Sequence, residues 1–547
     1  MRKLISILGL ALVSTSAAQD VRPPAAADGP PRLVLVVSID QMRYDYLVRF
    51  RPLFKGGLKT LIEQGAVFSN ARYLHANCET GPGHSVLLTG RNALHSGIVA
   101  NAWYDAGLDR VVNVVDDPAV RPLGGEGRAA SPANFIGFTI GDMLKKASPE
   151  AKVVGVSLKD RAAILMAGPR ADAAYWYEAA TGRFITSSYY MKAAPSWLDA
   201  LNARKAPDTY ALKPWTRLLP DEEIYRRYAG EDRVATEADL TEIAFPHSPG
   251  MAGSPGYYDR LRRSPFADEL TLEVALEAMN AHGIGTDNVT DILAVGFSAT
   301  DVIGHAYGPD SQEMMDQMLR LDQTLGRLFA AVEARVGLVN TIVVLSSDHS
   351  VMPLVESLQK RGVAAMRVIP EDIQRAGMAA LEKRFPEARD LVSSYLAPDF
   401  YLNLPSIQRQ GLRRRDVEQT LSDALIATGV VARVYTEASF AADPPPFAED
   451  PYFDAVRRSY FASRSPQVIA RLKEYTYLTS SPGGTGHGSS YEYDRHVPVI
   501  FMGAKVKPGM YSGDAAPEDI APTLGLLLGI DYPLQDARRR LSEMIKP

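Results

Sequence analysis

At 547 residues, with 46% hydrophobic, 22% charged and 8% aromatic residues, the chain has an ordinary globular composition, which excludes disordered, collagenous and coiled-coil designs. Length alone would allow several domains at roughly 100 to 200 residues each, although large α/β enzymes exceed that as one insertion-bearing unit. Lys and Arg number 59 against 64 Asp and Glu, a formal charge of -5, so no global positive field gathers nucleic acid or anionic lipid, and any anion must be caught locally.

Arg2 and Lys3, the apolar run Leu4 to Val13 and the small residues Ser16-Ala17-Ala18 have the three-part form of a secretory leader, with cleavage expected before Gln19. That run is half the roughly 20 residues a bilayer-spanning helix needs. Residues 1–18 are therefore expected to be removed and the remainder, 19–547, to be exported to a periplasmic or extracellular location without a membrane partner. Cys78 is the single cysteine, so no internal disulfide can form, and packing and metals must stabilise the fold.

Residues 19–31 are rich in Pro and Ala and read as a flexible lead-in. Arg32 to Ile39 is a continuous β-branched run ending at Asp40, the pattern of a buried parallel strand. Such runs recur at Lys152 to Val156, Asp291 to Phe297, Thr341 to Leu345 and Val497 to Met502, with amphipathic helical patterns at Gln312 to Val336 and Pro517 to Leu528. The alternation predicts one α/β domain with a mostly parallel central sheet flanked by helices. Two intervals break it, about 170–265 and about 352–480, the second containing Pro444-Pro445-Pro446, and both read as insertions.

Ligands of open parallel sheets collect beyond the carboxyl ends of the strands. There the chain places Asp40, then Asp301 with His305 one helical turn on, then Asp348-His349, and, before the last strand, His487 in a glycine-rich loop. Asp and His are oxygen and nitrogen ligands of zinc. Each pair taken alone reads more readily as a loop acid or a helix cap; their shared position at strand ends is what distinguishes them. His75, His84, His95, His247, His282 and His496 have no such setting and read as structural or surface residues. In Cys78-Glu79-Thr80-Gly81-Pro82-Gly83-His84, Thr80 falls just before an expected helix N-terminus, where backbone N–H groups favour an anion; in isolation it is also an ordinary helix cap.

These segments, in this order, resemble the alkaline phosphatase superfamily from about residue 32 to about residue 530. The resemblance implies two zinc ions per chain, about 4 Å apart as in two-metal phosphoryl chemistry. One would be held by Asp301, His305 and His487, the other by Asp40, Asp348, His349 and the Thr80 oxygen. Thr80 would attack phosphorus, forming a phosphothreonine that water then hydrolyses. Lys159 and Arg161, expected to project from the same side of an extended segment, together with Asn101, resemble the substrate-binding set of the PafA-type phosphatases, in which Lys, Arg and Asn serve the charged oxygens of a monoester. Asp160 between them is expected to face away. The reading is an exported zinc phosphomonoesterase of broad range that scavenges phosphate, with small monoesters and inorganic phosphate as ligands, no dedicated nucleic-acid partner, and a monomer compatible with the sequence. Two alternatives stand beside it: a diesterase of the nucleotide pyrophosphatase kind, and a non-catalytic zinc- or phosphate-binding protein.

Overall fold

The computed structural model describes residues 29–237, 242–442, 447 and 449–546. The expected leader, most of the lead-in and Pro444-Pro445-Pro446 lie outside the described residues. Among the described residues no helix is long and apolar enough to cross a membrane.

The aliphatic runs form the middle of a ten-stranded sheet. In chain order its strands are β1 (Leu33–Ile39), β2 (Ala66–Phe68), β3 (Pro122–Leu123), β4 (Val153–Ser157), β5 (Ala173–Glu178), β6 (Arg183–Ser187), β7 (Asp291–Phe297), β8 (Thr341–Ser346), β9 (Val499–Gly503) and β10 (Gly509–Tyr511). They lie in the order β10-β2-β9-β8-β1-β7-β4-β5-β6-β3. The central strands β8, β1, β7, β4 and β5 run parallel, while β9 and β6 pair antiparallel at either side. The helices that cover the sheet or frame the site are α1 (Thr80–Leu87), α2 (Asp160–Ala167), α3 (Phe266–Ala281), α4 (Ala299–Tyr307), α5 (Gln312–Arg335) and α6 (Ile520–Leu528).

β1, β7 and β8 are buried along their whole length, as parallel strands covered on both faces must be. Leu33, Leu35, Val37 and Ile39 enter one core with Leu270 and Val274 of α3 and Leu321 and Leu325 of α5. Val34 and Val36 face a second core with Ile520 and Leu524 of α6. Each such aliphatic side chain contributes about 1.5–3 kcal/mol by leaving water. The register brings the strand ends level: Ile39 lies beside Phe297, Ser38 beside Ser346 and Ser157 beside Gly296. The residues that follow these strands therefore emerge along one edge of the sheet.

The interval expected to leave the sheet at about 170 instead contributes β5 and β6 to it before continuing into shorter helices. The interval 352–480 builds a separate four-stranded antiparallel sheet, in the order Val392–Leu396, Asp399–Leu402, Val468–Leu472, Val431–Thr436. Helices Pro370–Arg384 and Arg414–Ala427 pack on it through Ile373, Leu381, Val417, Leu421 and Leu425, a core of its own. Its entry and exit are zipped by a parallel ribbon, Met366–Val368 against Thr476–Leu478.

On α3, buried Asp268 accepts hydrogen bonds from the Ala299 N–H at 3.1 Å and from Gln317 Nε2 at 2.7 Å, and so fixes the start of α4. Burial pushes its carboxyl from 3.8 up to about 7. A carboxyl whose folded pKa is raised binds an extra proton in the native state, so its effect on stability becomes less favourable as pH rises across that interval. Asp268→Asn keeps an acceptor for Ala299, and the buried, unpartnered Oε1 of Gln317 can turn to the new amide. We expect the variant's Tm, relative to the natural protein, to rise between about pH 4 and about pH 7; a pH-independent difference in thermal melts would refute this.

Candidate active site

Four chain segments meet at the edge where the parallel strands end. Asp40 follows β1 and is fully buried. Gln41, in the left-handed region at φ 65°, turns the chain sharply there. Its backbone N–H donates to Asp348 Oδ1 at 3.1 Å and its Nε2 to Asp301 Oδ1 at 2.9 Å, tying the ends of three strands together. Asp301 and His305 sit one turn apart on α4, and Asp348-His349 occupy the turn after β8. His487 reaches in from the glycine loop, its ring stacked on His349 with centroids 3.6 Å apart.

All three histidines place Nδ1 against a backbone carbonyl: His305 on Thr485 at 2.8 Å, His349 on Ser350 at 3.1 Å and His487 on Cys78 at 2.7 Å. A carbonyl can only accept, so Nδ1 carries the proton and Nε2 turns its lone pair to the site, the arrangement of metal-binding imidazoles. In one group His305 Nε2 lies 3.2 Å from both Asp301 Oδ1 and His487 Nε2, with Asp301 and His487 3.6 Å apart. In the other, His349 Nε2 lies 3.3 Å from Asp348 Oδ2 and 3.6 Å from Asp40 Oδ1.

The electrostatics ask for cations. Burial, then the neighbouring Asp348, pushes the Asp40 carboxyl well above the usual range. Burial also opposes ionisation of Asp301 and Asp348, but Lys159 and His305 outweigh it at Asp301, and His349 and His84 at Asp348, so both are held well below that range. Burial keeps the His349 imidazole neutral. His349 Nε2 and Asp40 Oδ1 are buried without any hydrogen-bond partner. Such atoms are costly unless a ligand completes them. A converging set of carboxylate oxygens and unprotonated imidazole nitrogens fits a divalent metal ion.

Thr80 is buried and is the first residue of α1 rather than the residue before it, which puts it at the positive end of the helix dipole. Lys159 Nζ and Arg161 Nη2 each lie 3.3 Å from Thr80 Oγ1. The expected extended segment is not what brings them together. Lys159 caps α2 and Arg161 belongs to its first turn, so a strand-to-helix turn aims both. Lys159 Nζ also pairs with Asp40 Oδ2 at 2.7 Å and Asp301 Oδ2 at 2.6 Å, linking the two carboxylate groups. Asp160 accepts from the Arg161 N–H at 2.7 Å. Asn101 Oδ1 accepts from the Gly81 N–H at 2.7 Å, and its own backbone N–H donates to Glu79 Oε2 at 2.7 Å. These two bonds fix Asn101 beside the start of α1.

Three residues that shape the site were not assigned to it from the sequence. Gln41 follows Asp40 directly but acts through its unusual φ. Glu79 acts by holding Asn101. His84, grouped with the structural or surface histidines, is fully buried one turn beyond Thr80; its Nδ1 lies 2.9 Å from the Thr80 carbonyl and 3.1 Å from Asp348 Oδ2. The i, i+4 spacing from Thr80 was the available clue. Cys78, expected to be a small buried residue, is buried with its thiol pushed well up by desolvation, and it serves the site through its carbonyl.

The family described as Type I phosphodiesterase / nucleotide pyrophosphatase matches residues 34–496. Alkaline phosphatase PafA of Elizabethkingia meningoseptica is 31% identical over 524 residues, 94% of this chain and 94% of its own. Alkaline phosphatase PhoV of Synechococcus elongatus is 31% identical over 522 residues, 94% of this chain and 93% of that one. The crystal structure of wild-type PafA superposes with a TM-score of 0.89 at 31% identity, covering 95% of this chain and 100% of the other. The chain thus belongs to the Type I phosphodiesterase / nucleotide pyrophosphatase family and is, like its PafA and PhoV relatives, an alkaline phosphatase, a phosphoric monoester hydrolase.

Proposed function

We propose that the enzyme is an exported, zinc-dependent phosphatase of broad substrate range that works through a phosphothreonine and scavenges phosphate. The observation that carries this reading is the setting of Thr80 Oγ1, at the N-terminus of α1, 3.3 Å from both Lys159 Nζ and Arg161 Nη2 and beside two convergent donor groups. Asp301, His305 and His487 would hold one zinc ion, and Asp40, Asp348 and His349 with the Thr80 oxygen the other. Bound zinc supplies Lewis-acid stabilisation of oxyanions and water acidified toward neutral pH. The chain's own groups do the rest. Thr80 Oγ1 gives up its proton to solvent and attacks phosphorus, the P–O bond to the alcohol breaks as that oxygen takes a proton from solvent, and water then splits the phosphothreonine, releasing phosphate and returning a proton to Thr80 Oγ1. Lys159, Arg161 and Asn101 Nδ2 meet the non-bridging oxygens, which keep their charge in a loose transition state. Export rests on the leader-like first eighteen residues, and activity confined to the cytosolic fraction would remove it.

The monoester preference is tested at Arg161. A monoester carries one more negative charge than a diester, so loss of the guanidinium fork should be felt mainly by the monoester. Arg161→Ala is expected to lower kcat/KM for a nitrophenyl monoester by about 10²–10³-fold and for the corresponding diester far less. Equal losses would favour the diesterase reading.

A further inference from the structure

A cavity of about 390 Å3 lies between the edge that carries the active site and the four-stranded sheet of residues 352–480. Glu79, which adjoins Thr80, and the candidate zinc ligand His487 line one part of it; Tyr401, Tyr477, Tyr491 and Tyr493 also line it, among charged side chains that include Asp399, Arg471 and Lys473. The tyrosines are fixed. Tyr491 donates to the Leu472 carbonyl at 2.7 Å, accepts from Arg471 Nη1 at 3.0 Å, and stacks on Tyr493 with ring centroids 5.7 Å apart at 28°. Tyr401 donates to the Arg464 carbonyl at 3.2 Å. The Tyr477 ring packs over Gly486 so closely that a Cβ there would stand 2.6 Å from it.

A phosphoryl group alone needs no such room, and the volume is that of a small-molecule site, about 300–1,000 Å3. Aromatic walls held by their own hydroxyls bind flat rings with little ordering cost. We propose that this cavity receives the alcohol portion of the substrate, and that within its broad range the enzyme favours monoesters of ring-bearing alcohols, up to nucleoside size, over those of short alkyl alcohols. The inference rests on Thr80 and its neighbours being the phosphoryl site.

Leu396 and Ile469 line the cavity from the four-stranded sheet and are not among the catalytic groups. Leu396→Trp and Ile469→Trp would each narrow it by placing an indole in the space a ring would take. For each variant, kcat/KM relative to the natural protein is measured with methyl phosphate, phenyl phosphate and a nucleoside monophosphate, so that differences in intrinsic reactivity cancel. The expected result is a loss of about tenfold or more for the ring-bearing esters with methyl phosphate nearly unchanged. An equal change for all three, or none, overturns the proposal. Methyl phosphate turnover reports that a variant is folded; should neither variant fold, the natural protein decides. In it, free adenosine is expected to compete with phenyl phosphate, and no inhibition up to its solubility overturns the proposal. Failure of the natural protein to hydrolyse any monoester would instead overturn the reading of the phosphoryl site.

Discussion

Thr80→Ala is expected to lower kcat/KM for a nitrophenyl phosphate monoester by roughly 10⁴–10⁶-fold, the scale seen when a nucleophile is removed from a site whose other parts remain. The expectation follows from position. Thr80 Oγ1 is the hydroxyl onto which Lys159 and Arg161 converge, and the helix N-terminus around it favours the ionised oxygen. The fold should survive, because the Thr80 carbonyl still faces His84 and the substitution removes only a hydroxyl and a methyl group. Thr80→Ser, which restores a hydroxyl, should recover part of the rate. A Thr80→Ala protein that keeps more than a tenth of the activity, with an unchanged melting curve, would remove Thr80 as nucleophile. If no activity is found in the natural protein on monoester or diester, the binding-protein reading returns.

Removal of divalent metal by a chelator is expected to abolish turnover and lower Tm, with zinc restoring both at two ions per chain. Asp40, Asp301 and Asp348 are buried around a single buried ammonium, that of Lys159. Excess buried negative charge is expensive, so a cation bound only by the native state contributes to folding by mass action, about 4 kcal/mol per site at a thousand times its Kd. Metal analysis, thermal melts and monoester turnover on the same samples check this. A metal-free protein with full activity and an unshifted Tm would refute the two-zinc assignment, while recovery at one equivalent would refute the count.

The parts of this molecule legible from sequence were those where chemistry follows a strongly patterned element. β1, β7 and β8 are aliphatic runs buried on both faces, and the Asp and His residues at their ends meet because parallel register brings those ends level. β5 was not legible: Ala173–Glu178 is filled by Tyr175, Trp176 and Tyr177, whose burial depends on neighbours contributed by distant segments. The sheet within 352–480 is made of short, half-exposed strands; only Val392–Leu396 and Asp399–Leu402 form a local hairpin, and the other pairings join separated segments. At the site, Lys159 and Arg161 were legible as residue types but not as a local structure, since a cap and a first helical turn place them where an extended segment would not. Gln41 and Glu79 act through a left-handed turn and a backbone clamp, neither of which leaves a residue pattern.

The placement of β1 at the middle of the sheet also sets an order of assembly. Its neighbours are β7, which begins at Asp291, and β8, which begins at Thr341, so the first strand made has no lateral partner until more than half the chain has been synthesised. The His487 loop comes later still. Such distant pairings fold slowly because the intervening chain must be closed first. A growing polypeptide at about 5–20 residues per second therefore remains without its central pairing for many seconds. During that interval it is still threadable through a translocation channel and is catalytically silent, which suits a hydrolase proposed to act outside the compartment that makes it.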